Sequence, residues 1–478
     1  MTKQYFAITV EATLRVKTPL LIASGEQKRL IEDQQEQLTK GAETRNTLSP
    51  CRGCDDSIYL PASSLKGAAL AFIKEHEFDQ NWEWIFGERA QQIEGITSSQ
   101  GGNVRFRNAT EKQNVVTEIV TRNSIDAITG SAKQGHLFDV EAVKPGSEFV
   151  LKLTAPKANE NQLTALISLL TAWGYGDNCI GRNSCNSQGQ FELDDMRVKG
   201  VEESAYKSWL TSGSSAELAQ HVSIISLTAK PITRKQSGLM LDLKLIPLSP
   251  IFVSNGKTEK GDDGHQITNA QTNSDGQYMI PATSFRGSYR SLGRKILLTL
   301  LQQSGQKAEQ TANEYLQVLF GGEKQASAVS ITDFTASHQE TCKQAFIAID
   351  RFTGGVKGGT QSLATAGANY TINKPIVDEY QGKVTLHSKL LEQENYPQLA
   401  IFLLVLRDMM QGEILFGGLK GKGFGKAKVK VQLGDHQTVL SNWSEFEAQW
   451  QAQNLPKFEQ LIAALQQMLI QANSEEAQ

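Results

Sequence analysis

Two short segments of the chain carry residues suited to binding an anion, in the same order. The first is "PASSLKG", with Ser64 and Lys66, and the second is "PATSFRG", with Ser284 and Arg286. Each is predicted to start a helix, where a cation opposes the helix dipole unless a bound anion offsets that cost. Because the free backbone N–H groups of a helix start also favour an anion, the two copies predict two contacts with a polyanion. A capped helix with a surface cation is the alternative.

The local signals also predict how both helices begin. Pro61 and Pro281 are each expected to end a strand, and the hydroxyl pairs at 63–64 and 283–284 follow at once. Serine and threonine hydroxyls accept hydrogen bonds from the first free N–H groups of a helix. We therefore expect a hydroxyl from each pair to be the N-cap.

Two glycine-rich loops form a second pair of candidate anion sites. The loop "GYGDNCIGRNSCNSQGQFEL" contains Arg182, and "GGLKGKGFGKAKVKV" contains Lys420, Lys422 and Lys426. Such loops place backbone N–H groups and cations on a tight hook that suits successive phosphates. Each loop runs into a strand rather than a helix, which argues against a dinucleotide-binding or P-loop interpretation. The alternative is an ordinary turn or β-bulge.

Acidic residues occur in the loops that follow the first strand of each half of the chain. Asp33 follows "IASG", and Asp262 and Asp263 follow "VSNG". An acid on such a loop, beside a phosphate-binding helix end, could align or deprotonate a ribose 2′-hydroxyl, or hold a divalent ion that does so. Asp55 or Asp56, in the same long first loop as Asp33, could serve instead. A solvated acidic loop is the alternative.

Four of the five cysteines form two pairs. Cys51 and Cys54 stand in "CRGC", and Cys179 and Cys185 lie in the first glycine-rich loop. An odd number of cysteines in a cytosol-like chain argues against a disulfide framework. Since the two loops are expected to be neighbours, the four thiols predict a structural Zn²⁺ site, with four unrelated thiols as the alternative.

Two "ID-x-x-TG" segments, at Asp126 and Asp350, complete the candidate residues. We predict a strand that ends in a turn closed by the aspartate carboxylate, rather than a catalytic acid. Long segments rich in glycine, alanine and threonine follow, which suits a protruding hairpin. The seven histidines form no Ser/His/Asp or paired-histidine constellation.

The elements that position these residues must belong to a globular protein of more than one domain. At 478 residues the chain exceeds one ordinary core. The net charge of the whole chain, −3, does not indicate a polyanion partner, so local basic patches would have to bind one. The longest apolar runs, such as "LAIFLLVL", fall short of the roughly 20 residues that a membrane span needs. The N-terminus shows no signal-peptide pattern, and we expect a cytoplasmic protein.

The sequence repeats one plan. Each half has an alternating strand, a charged loop, the helix-start segment, short β-rich segments, the "ID-x-x-TG" turn, an apolar helix, the glycine-rich loop and a final strand. This order predicts an α+β fold of two tandem ferredoxin-like (RRM-like) domains with inserted hairpins. The expected boundaries are 1–200 for the first domain, 201–222 for a linker, 223–435 for the second domain and 436–478 for a helical tail.

Together these motifs resemble the RAMP superfamily of CRISPR proteins. "PASSLKG", "PATSFRG", "IDRFTGG" and "GLKGKGFGK" look like the backbone subunits of type III effector complexes, of the Csm and Cmr kind. The resemblance covers most of residues 1–435 twice over, so the chain looks like a tandem fusion of two backbone subunits, as in type III-D-like systems. It implies an antiviral ribonucleoprotein in which the chain binds guide crRNA, other effector subunits and a single-stranded target RNA.

The resemblance also implies roles for individual residues. Asp33 and Asp263, with Asp262 as a close rival, would cleave the target RNA in a step that depends on Mg²⁺ or Mn²⁺ and leaves a 2′,3′-cyclic phosphate. The hairpins after "TG" would act as thumbs that kink the guide–target duplex, and the cysteines would match the zinc sites of some fused members. The implied RNA contacts are Ser64, Lys66, Arg122, Lys133, Arg182, Ser284, Arg286, Arg290, Arg351, Lys357, Lys420, Lys422 and Lys426.

Two other functions stay open at this point. The chain could be a catalytically silent scaffold that holds guide RNA while another subunit cuts. It could also be a guide-processing endoribonuclease, which would need one active site, often with a histidine base, whereas this chain repeats its whole plan. A nucleotide-metabolising enzyme is a more distant alternative.

Overall fold

The computed structural model divides the chain into two compact units. Unit 1 comprises Met1–Ser124 and Ala132–Gln236, and unit 2 comprises Ile125–Ser131 and Ser237–Gln478. No helix among the described residues is long and apolar enough to cross a membrane. The structure describes residues 3–29, 46–78, 82–87, 91–93, 96–98, 101–126, 132–175, 178–212, 215–234, 238–260, 266–301, 306–322, 325–347, 349–355, 370–434 and 436–474.

Unit 1 contains the first copy of the repeated plan. Its helices are α1 (Ala62–Glu75), α2 (Trp82–Phe86), α3 (Glu160–Trp173), α4 (Glu203–Ser212) and α5 (Ser215–Gln220). Its strands are β1 (Gln4–Val16), β2 (Ala23–Arg29), β3 (Asn46–Pro50), β4 (Tyr59–Leu60), β5 (His76–Glu77), β6 (Gln91–Ile93), β7 (Ile96–Ser98), β8 (Arg105–Phe106), β9 (Ala109–Gln113), β10 (Thr117–Ile125), β11 (Ala132–Val143), β12 (Glu148–Asn159), β13 (Phe191–Glu202), β14 (Ser223–Ile224) and β15 (Thr233–Arg234).

The main sheet of unit 1 has the ferredoxin-like strand order. It runs β14-β13-β1-β12-β9-β4, with β8 paired to β12 beside this path. Strand β1 lies between β12 and β13 and is antiparallel to both. Helices α1 and α3 bury an apolar stripe against this sheet, since Leu65 and Ala69 of α1 and Leu166 and Leu170 of α3 belong to one core with Leu14 of β1.

A second, four-stranded sheet in unit 1 joins two hairpins. Its order is β10-β11-β3-β2, and β3 pairs with β11 in parallel, with Thr47 opposite Asp139. Both of these strands lead away from the turn of their own hairpin, so the turn ends of the two hairpins lie at the same end of the sheet. Strand β11 begins six residues, or about 20 Å, before the position level with the start of β3.

Unit 2 contains the second copy and three further helices. Its helices are α6 (Ala282–Leu300), α7 (Gln306–Phe320), α8 (Tyr396–Met410), α9 (Trp443–Ala452) and α10 (Phe458–Ser474). Its strands are β16 (Leu239–Pro247), β17 (Ser254–Lys260), β18 (Gln266–Ala270), β19 (Met279–Ile280), β20 (Val329–Ile331), β21 (Phe334–Ala336), β22 (Gln339–Phe346), β23 (Tyr370–Val377), β24 (Tyr380–Leu386), β25 (Ala427–Leu433) and β26 (Val439–Leu440).

The sheets of unit 2 repeat the arrangement of unit 1. The main sheet runs β19-β21-β24-β16-β25-β26, with β20 also paired to β24, and the second sheet runs β17-β18-β23-β22. Strands β18 and β23 again pair in parallel, with Ile267 opposite Thr371. The predicted fold class, two tandem ferredoxin-like domains with inserted hairpins, is therefore confirmed.

The predicted C-terminal helical tail is also confirmed, as α9 and α10. Phe446 and Trp450 of α9 and Leu461 of α10 are fully buried in the core of unit 2. The segment 201–222, expected as a linker, contains α4 and α5. Tyr206 of α4 stacks on Phe6 of β1, with ring centroids 4.5 Å apart.

Candidate nucleic-acid interface

The two helix-start segments do begin helices, but their hydroxyls do not cap them. Helix α1 follows Pro61 and α6 follows Pro281, and neither N-cap residue makes a side-chain capping hydrogen bond. The prediction of a hydroxyl N-cap at 63–64 and 283–284 is wrong, because these residues lie inside the first helical turn. Both prolines do follow a short strand, as predicted.

The caps come instead from a residue 46 or 51 positions further along the chain. The N–H group of Ala62 donates to Asn108 Oδ1 over 2.9 Å, and that of Ala282 donates to Asp333 Oδ1 over 2.7 Å. Both caps stand directly before the equivalent strands β9 and β21. The first helix start therefore faces a neutral amide and the second a carboxylate, which repels a phosphate.

The two helix-start cations also differ. Lys66 is half-buried and has no hydrogen bond or ion pair with any described residue. Arg286 donates from Nη1 to Ser327 Oγ over 2.9 Å and from Nη2 to the carbonyl oxygen of Val329 over 2.8 Å, and it lies over the Phe320 ring. Arg286 therefore ties α6 to β20, whereas Lys66 is available to an anion.

Both glycine-rich loops share one backbone conformation. The N–H group of Arg182 donates to Leu21 O over 2.8 Å in unit 1, and that of Gly418 donates to Phe252 O over 2.7 Å in unit 2. A 3₁₀ turn follows in each, Ser184–Asn186 and Lys420–Lys422, between two left-handed residues. The loops are therefore fixed against the segment that follows the first strand of each unit.

Close backbone contacts require the glycines that end these loops. Gly189 and Gly425 have φ of +77° and +94°. A Cβ atom added at Gly189 would lie 1.9 Å from Ile180 O, and one added at Gly425 would lie 2.2 Å from Phe416 O. Their glycine identity is thus explained by the fold itself, whatever the loops bind.

The loop of unit 2 carries more exposed cations than that of unit 1. Arg182 in the first loop and Lys420 and Lys426 in the second are exposed, and their side chains make no ion pair with described residues. Desolvation by the surrounding chain lowers the pKa of Lys420, although the residue keeps an exposed surface. The second loop is therefore the stronger candidate for phosphate contact.

Lys422 has a different role in the same loop. Its Nζ atom lies 4.2 Å from the ring centroid of Phe346 and 4.3 Å from that of Tyr370. These two aromatic residues are paired across β22 and β23, where the described part of the hairpin ends. A cation this close to two rings is attracted to both, so Lys422 ties the glycine-rich loop to the hairpin.

The remaining predicted RNA contacts are dispersed. Arg290 is half-buried, burial lowers its pKa, and its side chain has no partner among the described residues. Arg122 already has an interaction within the protein. Lys133 lies on β11 with its side chain outside the described part, and Lys357 is also outside it. Arg351 is exposed in the turn that follows Asp350.

The predicted aspartate-closed turn is confirmed at Asp350. Its Oδ1 atom accepts from the N–H groups of Phe352 and Thr353, both over 2.9 Å, and from Thr353 Oγ1 over 3.2 Å. The N–H groups of Thr353 and Phe352 lower the pKa of this carboxyl. The equivalent turn after Asp126 leads outside the described residues.

The sequences of both units match one family. The family model of the RAMP superfamily matches residues 13–192 and 244–428, which together make up more than half of the chain. The chain belongs to the RAMP superfamily. The second matched region lies in unit 2, and the first lies in unit 1 apart from residues 125–131, so the units correspond to two RAMP domains in tandem.

Comparisons with curated proteins and with solved structures identify the chain less specifically than the family model does. A search of curated proteins found no match. One similar solved structure is described as "Cryo-EM structure of the Type III-B Cmr-beta bound to cognate target RNA", with 18% identity and a TM-score of 0.28. The match covers 41% of this chain and 61% of that chain, which is less than two thirds of its length.

The candidate catalytic acids of both RAMP domains fall outside the described residues. Asp33 lies between β2 and β3, and Asp262 and Asp263 lie between β17 and β18. Their proposed role stays a prediction. Among the described residues, Asp55 accepts from Ser57 Oγ over 2.6 Å, and this hydrogen bond lowers the pKa of Asp55. Asp55 therefore closes a turn.

The two predicted cysteine loops of the first RAMP domain do meet the same segment of chain. The N–H group of Cys51 donates to Ile22 O over 3.2 Å, next to the bond from Arg182 to Leu21. Within the described residues, no group of three or more His, Cys, Asp or Glu side chains could hold a metal ion. The Zn²⁺ site of Cys51, Cys54, Cys179 and Cys185 stays a prediction.

The second RAMP domain forms the equivalent turn without cysteine. The N–H group of Gly53 donates to Ser57 O over 2.8 Å, and that of Asn273 donates to Gln277 O over 2.9 Å. The turn around "CRGC" is thus a feature of the repeated fold that does not itself depend on thiols.

Several positioning residues were not identified from the sequence. They are the helix caps Asn108 and Asp333 and the aromatic pair Phe346 and Tyr370. A signal for the caps was present, since "RNAT" and "ITDF" place an amide or acid directly before equivalent strands. The aromatic pair gave no signal, because its partner Lys422 is distant in the chain.

Proposed function

We propose that this chain is a double backbone subunit of a cytoplasmic type III CRISPR ribonucleoprotein. In this proposal both RAMP domains bind guide RNA, and a loop aspartate of each domain cleaves complementary single-stranded target RNA. The parallel pairing of β3 with β11, and of β18 with β23, supports it most. Because of this pairing, the strand ends that lead into the acid-bearing loops, 30–45 and 261–265, lie at the same end of the sheet as the strand ends that lead into the inserted hairpin's turn.

The proposal assigns phosphate contacts unequally to the two domains. In the first, Lys66 beside the amide-capped α1 and Arg182 in the glycine-rich loop are the predicted contacts that remain accessible. In the second, the Asp333 carboxylate argues against a phosphate at α6, and Arg286 is engaged within the domain. The exposed Lys420 and Lys426 would bind the RNA backbone there instead.

The cations on the outer face of the first main sheet are engaged by acidic partners. On the outer face of the first main sheet, Lys152 and Lys199 pair with Glu11 over 3.1 and 3.4 Å. Arg15 pairs with Glu148 over 3.1 Å and with Asp194 over 3.2 Å. Because these charges neutralise each other, the sheet face has little attraction for phosphate, and the interface is assigned to the loops.

The cleavage step in this proposal is an internal transfer within the target RNA. A ribose 2′-hydroxyl attacks the adjacent phosphorus, the bond to the 5′-oxygen of the next nucleotide breaks, and a 2′,3′-cyclic phosphate and a 5′-hydroxyl result. The loop aspartate, Asp33 or one of Asp262 and Asp263, would align or deprotonate the 2′-hydroxyl. The leaving oxygen takes up a proton.

The proposal includes two kinds of metal ion, a catalytic divalent cation and a structural Zn²⁺. Mg²⁺ or Mn²⁺ suits the carboxylates of the acid-bearing loops, because hard cations prefer oxygen ligands. These acids lie outside the described residues. Structural Zn²⁺ at the four cysteines is testable separately, by metal analysis of the wild-type chain and of Cys51→Ser.

The deciding experiment is cleavage of labelled target RNA by the assembled complex. We expect Asp33→Ala to remove one set of fragments, and Asp262→Ala or Asp263→Ala to remove another, with guide binding unchanged. Asp275→Ala, an exposed acid of another turn in the second domain, is the matched control and should leave every fragment. Unchanged fragments in all three loop variants would indicate a silent scaffold. Cleavage of precursor guide RNA by the chain alone would indicate guide processing.

A further inference from the structure

Phe352 projects entirely into solvent in the second RAMP domain. Its exposed fraction is 100%, and the nearby Ile347 and Ile349 are 55% and 65% exposed. Burial of an aromatic ring stabilises a folded protein. Clustered exposed apolar residues therefore mark a contact with another molecule. No described element of the domain covers this ring.

The backbone that carries Phe352 is fixed. The carboxylate of Asp350 accepts from the N–H group of Phe352 itself and from that of Thr353. The N–H group of Gly354 donates to Asp350 O over 2.9 Å, and that of Asp350 donates to Gly355 O over 2.8 Å. Because the turn is already ordered, the ring can bind a partner with little further loss of backbone entropy.

The charge beside this ring is positive. Arg351 is exposed and has no ion pair with a described residue. The only acid in the turn, Asp350, directs its charge to the N–H groups of the turn. An aromatic face next to an unpaired cation is the combination that single-stranded nucleic acid recognises, since the ring stacks on a base and the cation binds a phosphate.

We propose that Phe352 stacks on a nucleobase of the RNA bound by the second RAMP domain, while Arg351 contacts a neighbouring phosphate. This inference rests on the proposed RNA binding and adds to it a base contact in the second domain. In the repeated segment, Ala127 and Ile128 stand where Arg351 and Phe352 stand. The two domains therefore hold RNA by different means at this turn.

The test is RNA binding by the full-length chain, with a labelled 20-nucleotide oligoadenylate, measured by fluorescence anisotropy at several KCl concentrations. We expect Phe352→Ala to weaken binding roughly five- to hundredfold with the same salt dependence, because stacking involves no counterion release. Phe352→Leu should not restore affinity, whereas Phe352→Trp should, with quenched tryptophan fluorescence on binding. Arg351→Ala should lower the salt slope by about one ion.

The outcomes separate this inference from the proposed function. If the wild-type chain does not bind the RNA, both fail. If it binds and Phe352→Ala binds equally well, or Phe352→Leu restores affinity, only the base-stacking inference fails. A loss of association with other subunits in Phe352→Ala at unchanged RNA affinity would assign the ring to a protein contact and also overturn it. Since Phe352 is fully exposed, each variant should keep the wild-type melting temperature.

Discussion

Substitution of Gly425 tests whether the glycine-rich loop of the second domain is built as described. Gly425 has φ +94°, and a Cβ atom there would lie 2.2 Å from Phe416 O. Its N–H group donates to Pro250 O over 2.9 Å, and its carbonyl oxygen accepts from Phe416 N–H over 2.9 Å. Gly425→Ala must therefore shift the backbone at a point where two hydrogen bonds fix the loop.

The expected cost can be worked out from these features. A left-handed conformation costs an alanine about 1–2 kcal/mol, and weakening one backbone hydrogen bond adds about 1 kcal/mol. A destabilisation of roughly 2–3 kcal/mol corresponds to a fall of about 5–10 °C in the melting temperature of a domain of this size.

Calorimetry of the full-length chain measures this fall, and the loop contains its own control. Gly421 lies in the 3₁₀ turn Lys420–Lys422, where an added Cβ atom would meet no other atom within 4 Å and no positive φ is required. Gly421→Ala should therefore leave the melting temperature within about 2 °C of wild type. A wild-type transition in Gly425→Ala, or an equal loss in Gly421→Ala, would refute the assigned loop conformation.

Three further predictions concern the second domain. Arg286→Lys keeps the charge but loses the forked hydrogen bonds to β20. We therefore expect urea denaturation to give a free energy of unfolding about 1–3 kcal/mol below that of wild type, while the salt dependence of RNA binding stays unchanged. Lys422→Met should raise the protease sensitivity of the β22–β23 hairpin, and Lys422→Arg should not, because an arginine also binds aromatic faces. Hydrogen bonds lower the pKa of Asp350 in the folded turn, so the turn gains stability above the unfolded pKa of about 3.9 and loses it as the pH falls through the folded pKa. Hydrogen exchange of the Phe352 amide, relative to its intrinsic rate, should therefore become faster only in acid. An exchange rate that does not change in acid would contradict the assigned turn.

Much of the fold could be predicted from the sequence because the repeat is directly visible in it. The order of strands and helices, the two glycine-rich loops and the "ID-x-x-TG" turn all depend on residues that are near each other in the chain. The turn at Asp350 was predicted correctly for this reason, since an aspartate bonds to backbone groups two and three residues later.

The candidate site depended on contacts that the local sequence does not contain. The predicted hydroxyl caps were wrong because Ala62 and Ala282 receive their acceptors from residues 46 and 51 positions away. Lys66 and Arg286 occupy the same place in the repeat, and only packing against β20 distinguishes them.

The sequence by itself determined that one ferredoxin-like plan occurs twice, with cations and glycines at corresponding positions. The tertiary structure decided which of those cations remain available, because distant residues engage Arg286 and Lys422 through hydrogen bonds and ring contacts, whereas no described residue does so for Lys66 or Lys420. It also decided that the acid-bearing hairpin and the inserted hairpin turn at the same end of one sheet. That arrangement follows from parallel pairing between strands about 90 to 100 residues apart, which no local pattern encodes.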